Sequence, residues 1–212
     1  MEKKAGLAPA ETREESLQMK KLLITGFEPF GGESINPSWE AVSRLPDEIG
    51  SWSLTKLRIP VVFGVAADAV MQVADQISPD AILCVGQAGG RDAVTPELVG
   101  INLRHATAPD NSGYRPTDEP IVAGGDTAYF STLPVRRMAE ATLAAGVPAR
   151  VSYSAGTYVC NDLLYTLLHR YRDGGARVGF VHIPYATEQG KTPAMDPETL
   201  VKGLSAAIKS MD

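Results

Sequence analysis

Cys160 is the residue of this sequence best suited to nucleophilic chemistry, because of where it falls in the chain. It lies in the small-residue segment 154–161, just ahead of an apolar helical pattern over 163–171. A thiol at the start of a helix feels the positive end of the helix dipole and the unpaired N–H groups of the first turn. Both effects favour the thiolate, which is the nucleophilic form. The alternative is a small buried hydrophobic side chain, the usual environment of a free cysteine.

A cysteine nucleophile needs a base within reach, and the chain has three histidines. His182 lies near the end of the apolar run 178–183, which predicts a strand that ends where α/β sheets bind their ligands. His169 falls in a helical pattern, which predicts a solvated side chain. His105 falls in a strand or strand end, and the pattern does not place it further. His182 is therefore the candidate base, with a hydrogen-bonded core histidine as the alternative.

The base usually needs a third group, a carboxylate or an amide, to orient it. Four acidic residues lie in predicted loops that are suitably placed, namely Asp92, Glu97, Asp110 and Asp118. Spacing alone does not choose among them.

The elements that position these residues follow from hydrophobic periodicity. Apolar runs predict strands, and repeats at three and four residues predict helices. The predicted strands cover 22–27, 54–62, 81–85, 149–153 and 177–183, and the predicted helices cover 36–45, 65–77, 135–145, 163–171 and 196–211. This alternation predicts an α/β fold, a single-domain three-layer α/β/α sandwich around a mostly parallel, mixed central sheet. We expect the domain to cover 19–212, with 1–18 as a disordered extension.

Composition excludes several classes of function. The 212 residues carry a net charge of −5, which argues against a nucleic-acid or anionic-membrane partner. Two cysteines make no disulfide framework, so a reducing cytoplasm is expected, and Cys84 inside a strand is predicted to be inert core. No run reaches the ~20 apolar residues that cross a bilayer. No His-x-x-x-His, Cys-x-x-Cys or Gly-x-Ser-x-Gly pattern occurs, so neither a metal site nor a serine hydrolase is expected.

Ordered motifs run through the chain from about Lys20 to the C-terminus. They are Gly26-Phe27-Glu28-Pro29-Phe30-Gly31-Gly32, Asn36-Pro37-Ser38-Trp39-Glu40, Gly86-Gln87-Ala88-Gly89-Gly90-Arg91, Thr95-Pro96-Glu97, Ser154-Ala155-Gly156-Thr157-Tyr158-Val159-Cys160-Asn161 and Gly179-Phe180-Val181-His182-Ile183-Pro184. Together they resemble pyroglutamyl peptidase type I, also called pyrrolidone-carboxylate peptidase, a family of cysteine peptidases.

The resemblance implies a role for each catalytic position. Cys160 would be the nucleophile, His182 the base and later the acid, and Glu97 the group that orients the imidazole. It also implies that N-terminally pyroglutamylated peptides are the substrates, that no metal or other cofactor is needed, and that the protein is cytoplasmic and forms dimers or tetramers. Backbone N–H groups at Cys160 are our hypothesis for the oxyanion hole.

The substrate that the resemblance implies is a lactam and carries no N-terminal ammonium. Its pocket should therefore be apolar, with a few hydrogen bonds to the ring amide. The residues implied to bind it are Phe27 and Phe30 against the ring, Asn36 and Gln87 at its amide, and Tyr158 and Val159 beside the cysteine. The sequence departs from the family pattern at Leu98, where a basic residue is usual, and at Tyr158, where phenylalanine is common.

Two other functions remain open from the residues alone. The glycine-rich turn 86–91 follows a predicted central strand and is placed to hold phosphate, as in a nucleoside phosphorylase-like transferase. It is neither a Walker A loop nor a Rossmann fingerprint. The third possibility is a non-catalytic ligand-binding module in which Cys160 is structural.

Overall fold

The centre of the fold is a six-stranded mixed sheet. The computed structural model describes residues 19–212, so the expected disorder of 1–18 lies outside the described residues. The sheet strands are β1 (Lys20–Phe27), β2 (Glu48–Ile49), β3 (Trp52–Ile59), β4 (Ala81–Gln87), β5 (Thr95–Glu97) and β8 (Arg177–Ile183). Their order is β2-β3-β1-β4-β8-β5. The four inner strands are parallel, and the outer strands β2 and β5 are antiparallel to their neighbours.

Two short ribbons lie outside this sheet. They are the antiparallel pair β6 (Val99–Ile101) and β7 (Ala128–Phe130), and the parallel pair β9 (Tyr185–Ala186) and β10 (Ala194–Met195). A 3-10 turn (Thr187–Gln189) follows β9. The first ribbon begins directly after β5 in the chain, and the second begins directly after β8.

Five helices cover the two faces of the sheet. They are α1 (Pro37–Arg44), α2 (Val65–Ile77), α3 (Val135–Ala144), α4 (Val159–Arg170) and α5 (Pro197–Lys209). Helices α1, α3 and α5 bury their apolar faces in one core cluster, and α2 and α4 bury theirs in the other. This three-layer α/β/α arrangement around a mixed sheet confirms the predicted fold class.

Local sequence signals account for several element boundaries. Asn36 and Asp196 cap α1 and α5 with their side chains, and proline follows each cap as the first helical residue. The periodic segment 65–77 is the observed helix α2, and 177–183 is the observed strand β8. None of the helices within residues 19–212 is long and apolar enough to cross a membrane.

One predicted strand is wrong. The segment 149–153 makes only two isolated bridges, Val94 with Ala149 and Glu97 with Ser152. It runs parallel beside residues 94–98, to which four backbone hydrogen bonds join it and the residue before it, but the ladder is interrupted at Pro96, which has no N–H to donate. The segment is therefore paired at two separate bridges rather than along a continuous ladder.

Candidate active site

The cysteine lies at the start of α4, as the sequence predicts. Tyr158 is the N-cap and offers no side-chain cap, so the first-turn N–H groups at Val159 and Cys160 have no intrahelical partner. The sulfur packs against the central strand β4. A Cβ on Gly86 would lie 3.0 Å from the Cys160 sulfur and 2.7 Å from the Phe180 ring. Glycine at this position is what lets the thiol approach the sheet.

His182 lies in the same row of the sheet as Gly86. The two residues are register partners in the parallel pair of β4 and β8, and side chains of such partners project to the same face. Phe180, two residues earlier, belongs to the core cluster beneath α4, and its ring centroid is 4.7 Å from that of His182. Thiol and imidazole therefore share one face of the sheet at the ends of β4 and β8.

The third member of the site comes from the antiparallel edge strand β5. Oε1 of Glu97 accepts a hydrogen bond of 2.7 Å from Nδ1 of His182. Glu97 is fully buried, and burial opposes its charge. The hydrogen bond from His182, together with the positive charge of Arg91, outweighs that burial and lowers the pKa of Glu97. A carboxylate that accepts from Nδ1 leaves Nε2 of His182 free to act as a base.

The charge state of the thiol differs from the one that the helix start predicts. Burial, followed by the negative charge of Glu97, raises the pKa of Cys160 to about 12. Burial also lowers the pKa of His182, although Glu97 acts in the opposite direction. Thiol and imidazole are thus both neutral at pH 7. Desolvation outweighs the helix dipole, and the sulfur is held as a thiol next to its base.

Arg91, which the sequence suggested only as part of a turn that could hold phosphate, is a residue of this site. Its Nη1 donates hydrogen bonds of 2.6 Å to Oε1 of Glu97 and to Oγ1 of Thr95, and its Nη2 donates one of 3.0 Å to the carbonyl of Ser154. It therefore ties β5 to the segment that leads to Cys160. The signal that could have found it is its position at the end of the glycine-rich turn, six residues before Glu97.

A small apolar cavity opens beside the sulfur. It has a volume of about 40 Å³ and is lined by Phe27, Phe30, Asn36, Val61, Gln87, Tyr158 and Cys160. A larger cavity of about 380 Å³ shares Phe30 and Tyr158 with it and extends along residues 105–109. Five of the six residues predicted to bind the substrate therefore line the cavity that holds the thiol.

The predicted binding residues differ in how free their polar groups are. Asn36 caps α1 with its side-chain oxygen and donates from its amide to the carbonyl of Glu28, so its main task is to hold the loop. The hydroxyl of Tyr158 donates to the carbonyl of Pro109. Val159 does not line the cavity, because its side chain is fully buried in the core below.

The other candidate residues lie away from the thiol and imidazole. Asp92 pairs with Arg150, and Asp118 pairs with His105 in exposed contacts. The carboxylate of Asp110 is bonded to neighbouring loop groups. His169 is not simply solvated, because its ring contacts the hydroxyl of Tyr129.

The proposed phosphate site has no free cation, because Arg91 is bonded to Glu97, Thr95 and Ser154. Among the residues that the structure describes, no group of three or more His, Cys, Asp or Glu side chains is arranged to hold a metal ion.

A thiol at a helix start, beside an imidazole that a buried carboxylate holds, is the arrangement of a cysteine hydrolase. A sequence model described as pyroglutamyl peptidase matches residues 20–212. The pyrrolidone-carboxylate peptidase of Thermococcus onnurineus is 48% identical over 195 residues, covering 90% of this chain and 98% of that protein. The chain belongs to the pyroglutamyl peptidase family.

Solved structures agree with this placement. The crystal structure of pyroglutamyl peptidase I from Bacillus amyloliquefaciens superposes with a TM-score of 0.86 at 44% identity, covering 91% of this chain and 96% of that one. The pyrrolidone carboxyl peptidase of Thermococcus litoralis gives a TM-score of 0.87 at 36% identity, covering 91% and 93%. About nine-tenths of this chain therefore shares its fold with solved structures of the family.

Proposed function

We propose that this protein is a cysteine exopeptidase that removes the N-terminal pyroglutamyl residue from peptides through a thioester intermediate. The observation that carries the proposal is the position of Cys160, which lies in the wall of an apolar cavity and packs against Gly86, the register partner of His182. Family membership supports the same substrate. Peptides with a pyroglutamyl N-terminus are the partners that this activity implies.

The neutral resting pair sets the order of the proton transfers. As the sulfur attacks the pyroglutamyl carbonyl, its proton passes to Nε2 of His182, and a carbon–sulfur bond forms. The imidazolium is stabilised by Glu97 through Nδ1. When the carbon–nitrogen bond breaks, His182 returns the proton to the departing amine. Water, deprotonated by the same imidazole, then cleaves the thioester and restores the thiol.

The helix start supplies the electrostatic part of the mechanism. The attack places negative charge on the carbonyl oxygen, and the N–H groups at Val159 and Cys160 are unpaired at that point of α4. These N–H groups form the oxyanion hole, and the helix dipole adds to their effect. The same dipole that does not ionise the resting thiol thus acts on the charge that develops later.

The cavity beside Cys160 binds the acyl group, which is the pyroglutamyl ring. Phe27 and Phe30 provide flat apolar walls for a five-membered ring, and Gln87 provides the polar group. The 40 Å³ cavity is small, so the ring also uses space on the side of Phe30 and Tyr158, where the larger cavity begins. A pocket with no buried carboxylate in its lining favours an uncharged lactam over the charged amine of an N-terminal proline.

The test is release of 7-amino-4-methylcoumarin from its pyroglutamyl amide. Wild-type protein should release the fluorophore without added phosphate, and Cys160→Ser and His182→Ala should lose nearly all activity. Cys84→Ala removes the other, buried cysteine and serves as the matched control. Near-wild-type turnover in either site variant would end the assignment. Phosphate-dependent turnover would instead indicate a transferase, and binding without turnover would indicate a non-catalytic module.

The remaining properties are proposals that rest on the family. We propose that the protein is cytoplasmic, works without a metal or other cofactor, forms dimers or tetramers, and has neither nucleic-acid nor membrane partners. Light scattering after size exclusion measures the oligomeric state. Activity that survives dialysis against EDTA is the expected result for an enzyme without a metal.

A further inference from the structure

Gln189, on the 3-10 turn after β9, connects three segments around the cavity. Its Nε2 donates a hydrogen bond of 3.0 Å to Oε1 of Gln87 and one of 3.3 Å to Oε2 of Glu33. Its Oε1 accepts a hydrogen bond of 3.0 Å from the backbone N–H of Ala186. Lys191 pairs with the other oxygen of Glu33. The end of β4, the loop after β1 and the 3-10 turn thus meet in one network.

The chemistry of the network fixes which way each amide faces. A backbone N–H can only donate, so the atom of Gln189 that faces Ala186 must be the oxygen. The hydrogen bond from Lys191 lowers the pKa of Glu33, so this carboxylate is ionised and can only accept. The nitrogen of Gln189 therefore directs its two hydrogens to Glu33 and Gln87. These partners fix the orientation of the Gln189 side-chain amide.

The orientation of Gln189 determines the orientation of the side-chain amide of Gln87, which lines the cavity beside Cys160. Its atom facing Gln189 must be the oxygen, because Gln189 presents a donor there. The amide nitrogen of Gln87, with two N–H groups, is then the end left for a ligand. A free glutamine side chain would present its oxygen or its nitrogen with nearly equal ease, so this polarity comes from its neighbours.

We propose that Gln189 is a positioning residue that makes the pocket selective for a ring carbonyl. By holding the oxygen of Gln87, it turns the N–H groups of Gln87 toward the lactam carbonyl of the pyroglutamyl ring. Ring carbonyls are acceptors and match this donor, whereas rings without one leave a buried donor unpaired. The inference rests on the proposed function and adds the residue that sets its specificity.

The experiment compares two neutral substrates that differ in the ring. One is the pyroglutamyl amide of 7-amino-4-methylcoumarin, and the other is its cyclopentanecarbonyl amide, which has a five-membered ring without the lactam carbonyl and N–H. The measured quantity is the kcat/KM of the pyroglutamyl amide divided by the kcat/KM of the cyclopentanecarbonyl amide. Gln189→Glu keeps the acceptor for Ala186 but cannot donate to Gln87, and Gln189→Met removes both contacts. The exposed residue Gln76 provides the matched control, Gln76→Met.

Both Gln189 variants should lower this ratio about tenfold, which corresponds to the loss of one net hydrogen bond, and the control should leave it unchanged. The loss should fall on the pyroglutamyl substrate, with the cyclopentane substrate nearly unaffected. A role that is only structural would lower both kcat/KM values in parallel and leave the ratio constant. That result would overturn the proposal.

A measurement without turnover separates this proposal from the proposed function. The side-chain amide protons of Gln87 are followed by NMR while 2-pyrrolidone, a lactam with no scissile bond, is added. In the wild type these resonances should shift on titration, and in Gln189→Glu the shift should be lost or need about tenfold more ligand. No shift in the wild type would overturn the role of Gln189. Failure of the wild type to cleave the pyroglutamyl substrate would overturn the proposed function alone.

Discussion

His182 and Glu97 are joined by a hydrogen bond of 2.7 Å between Nδ1 and Oε1, although 85 residues separate them in sequence. The contact exists because β5 runs antiparallel to β8 at the edge of the sheet, which places Glu97 opposite Phe180 and next to the imidazole. Both side chains are buried, so the bond fixes the ring and its tautomer without competition from water. Nε2 of the neutral imidazole is then unprotonated and free to act as a base.

Replacing the carboxylate tests this relationship most directly. Glu97→Gln should lower kcat by about 10²- to 10⁴-fold, because an amide cannot stabilise the imidazolium and can favour the wrong tautomer. The measurement is kcat on the pyroglutamyl coumarin amide, with thermal unfolding to verify the fold. Glu140→Gln, on the exposed face of α3, should have no effect. A Glu97→Gln enzyme within twofold of wild type would show that the carboxylate does not act on the reaction.

Removing Arg91 should change how activity depends on pH. The positive charge of Arg91 lowers the pKa of His182, of Glu97 and of Cys160. Without it the pKa of His182 rises, so the imidazole is protonated at a higher pH and the acid limb of kcat/KM moves upward. Arg91→Met should show this shift of the acid limb together with a lower kcat. Arg91→Lys, which keeps the positive charge, should bring the acid limb and kcat part of the way back to their wild-type values.

The matched control for this experiment is Arg150→Met. Arg150 is exposed and pairs with Asp92 outside the site, so its replacement should leave the profile in place. A lower kcat with no movement of the acid limb would mean that Arg91 only holds the loop at Ser154. The pH profile thus separates an electrostatic effect from a structural one.

Alkylation against pH tests the neutral state of the thiol. Because burial raises the pKa of Cys160 to about 12, its rate of reaction with iodoacetamide should keep rising from pH 6 to pH 9.5. Peptide mass spectrometry separates its labelling from that of Cys84, which is 1% exposed and should stay unlabelled in the folded protein. A rate that is constant between pH 5 and 8 would instead indicate a thiolate–imidazolium pair and contradict the proposed proton order.

Asp110 provides a prediction for stability. Burial opposes its charge, but hydrogen bonds from Ser112, Phe63 and Tyr114 outweigh that burial and lower its pKa. A lowered folded pKa contributes stability above the unfolded value, and this contribution is lost as pH falls through the folded pKa. Asp110→Asn should cost about 1–3 kcal/mol at pH 7, since its amide would direct a donor at a donor.

The difference in free energy of unfolding between the wild type and Asp110→Asn should become smaller at low pH. The difference in unfolding free energy should narrow below about pH 4, near the ordinary aspartate pKa of 3.8, as the wild-type carboxyl is protonated. Urea unfolding at pH 7 and pH 3 measures both free energies of unfolding. An equal difference at the two pH values would mean that the charge of Asp110 does not contribute.

Much of the fold could be predicted because its signals are local. Helix α2 follows from the three- and four-residue spacing of its apolar positions, and the caps at Asn36 and Asp196 mark helix starts by their own side chains. The segment 149–153 shows the limit of such signals. Its pattern is that of a strand, but a ladder also depends on the partner segment, and there Pro96 has no N–H to donate, so that only two bridges form.

The sequence by itself determined the five helices and the four inner strands of the sheet, the candidate nucleophile and base, and, through family motifs, the carboxylate, although not the edge strand β5 that carries it. Only the tertiary structure decided the charge of the thiol, since desolvation depends on everything packed around Cys160 rather than on its place in a helix. It also decided the tasks of Asn36, Arg91 and Gln189, whose side chains find their partners across loops. Hydrogen bonds between residues far apart in the chain depend on distance and direction in space, and the spacing of residues along the sequence gives neither.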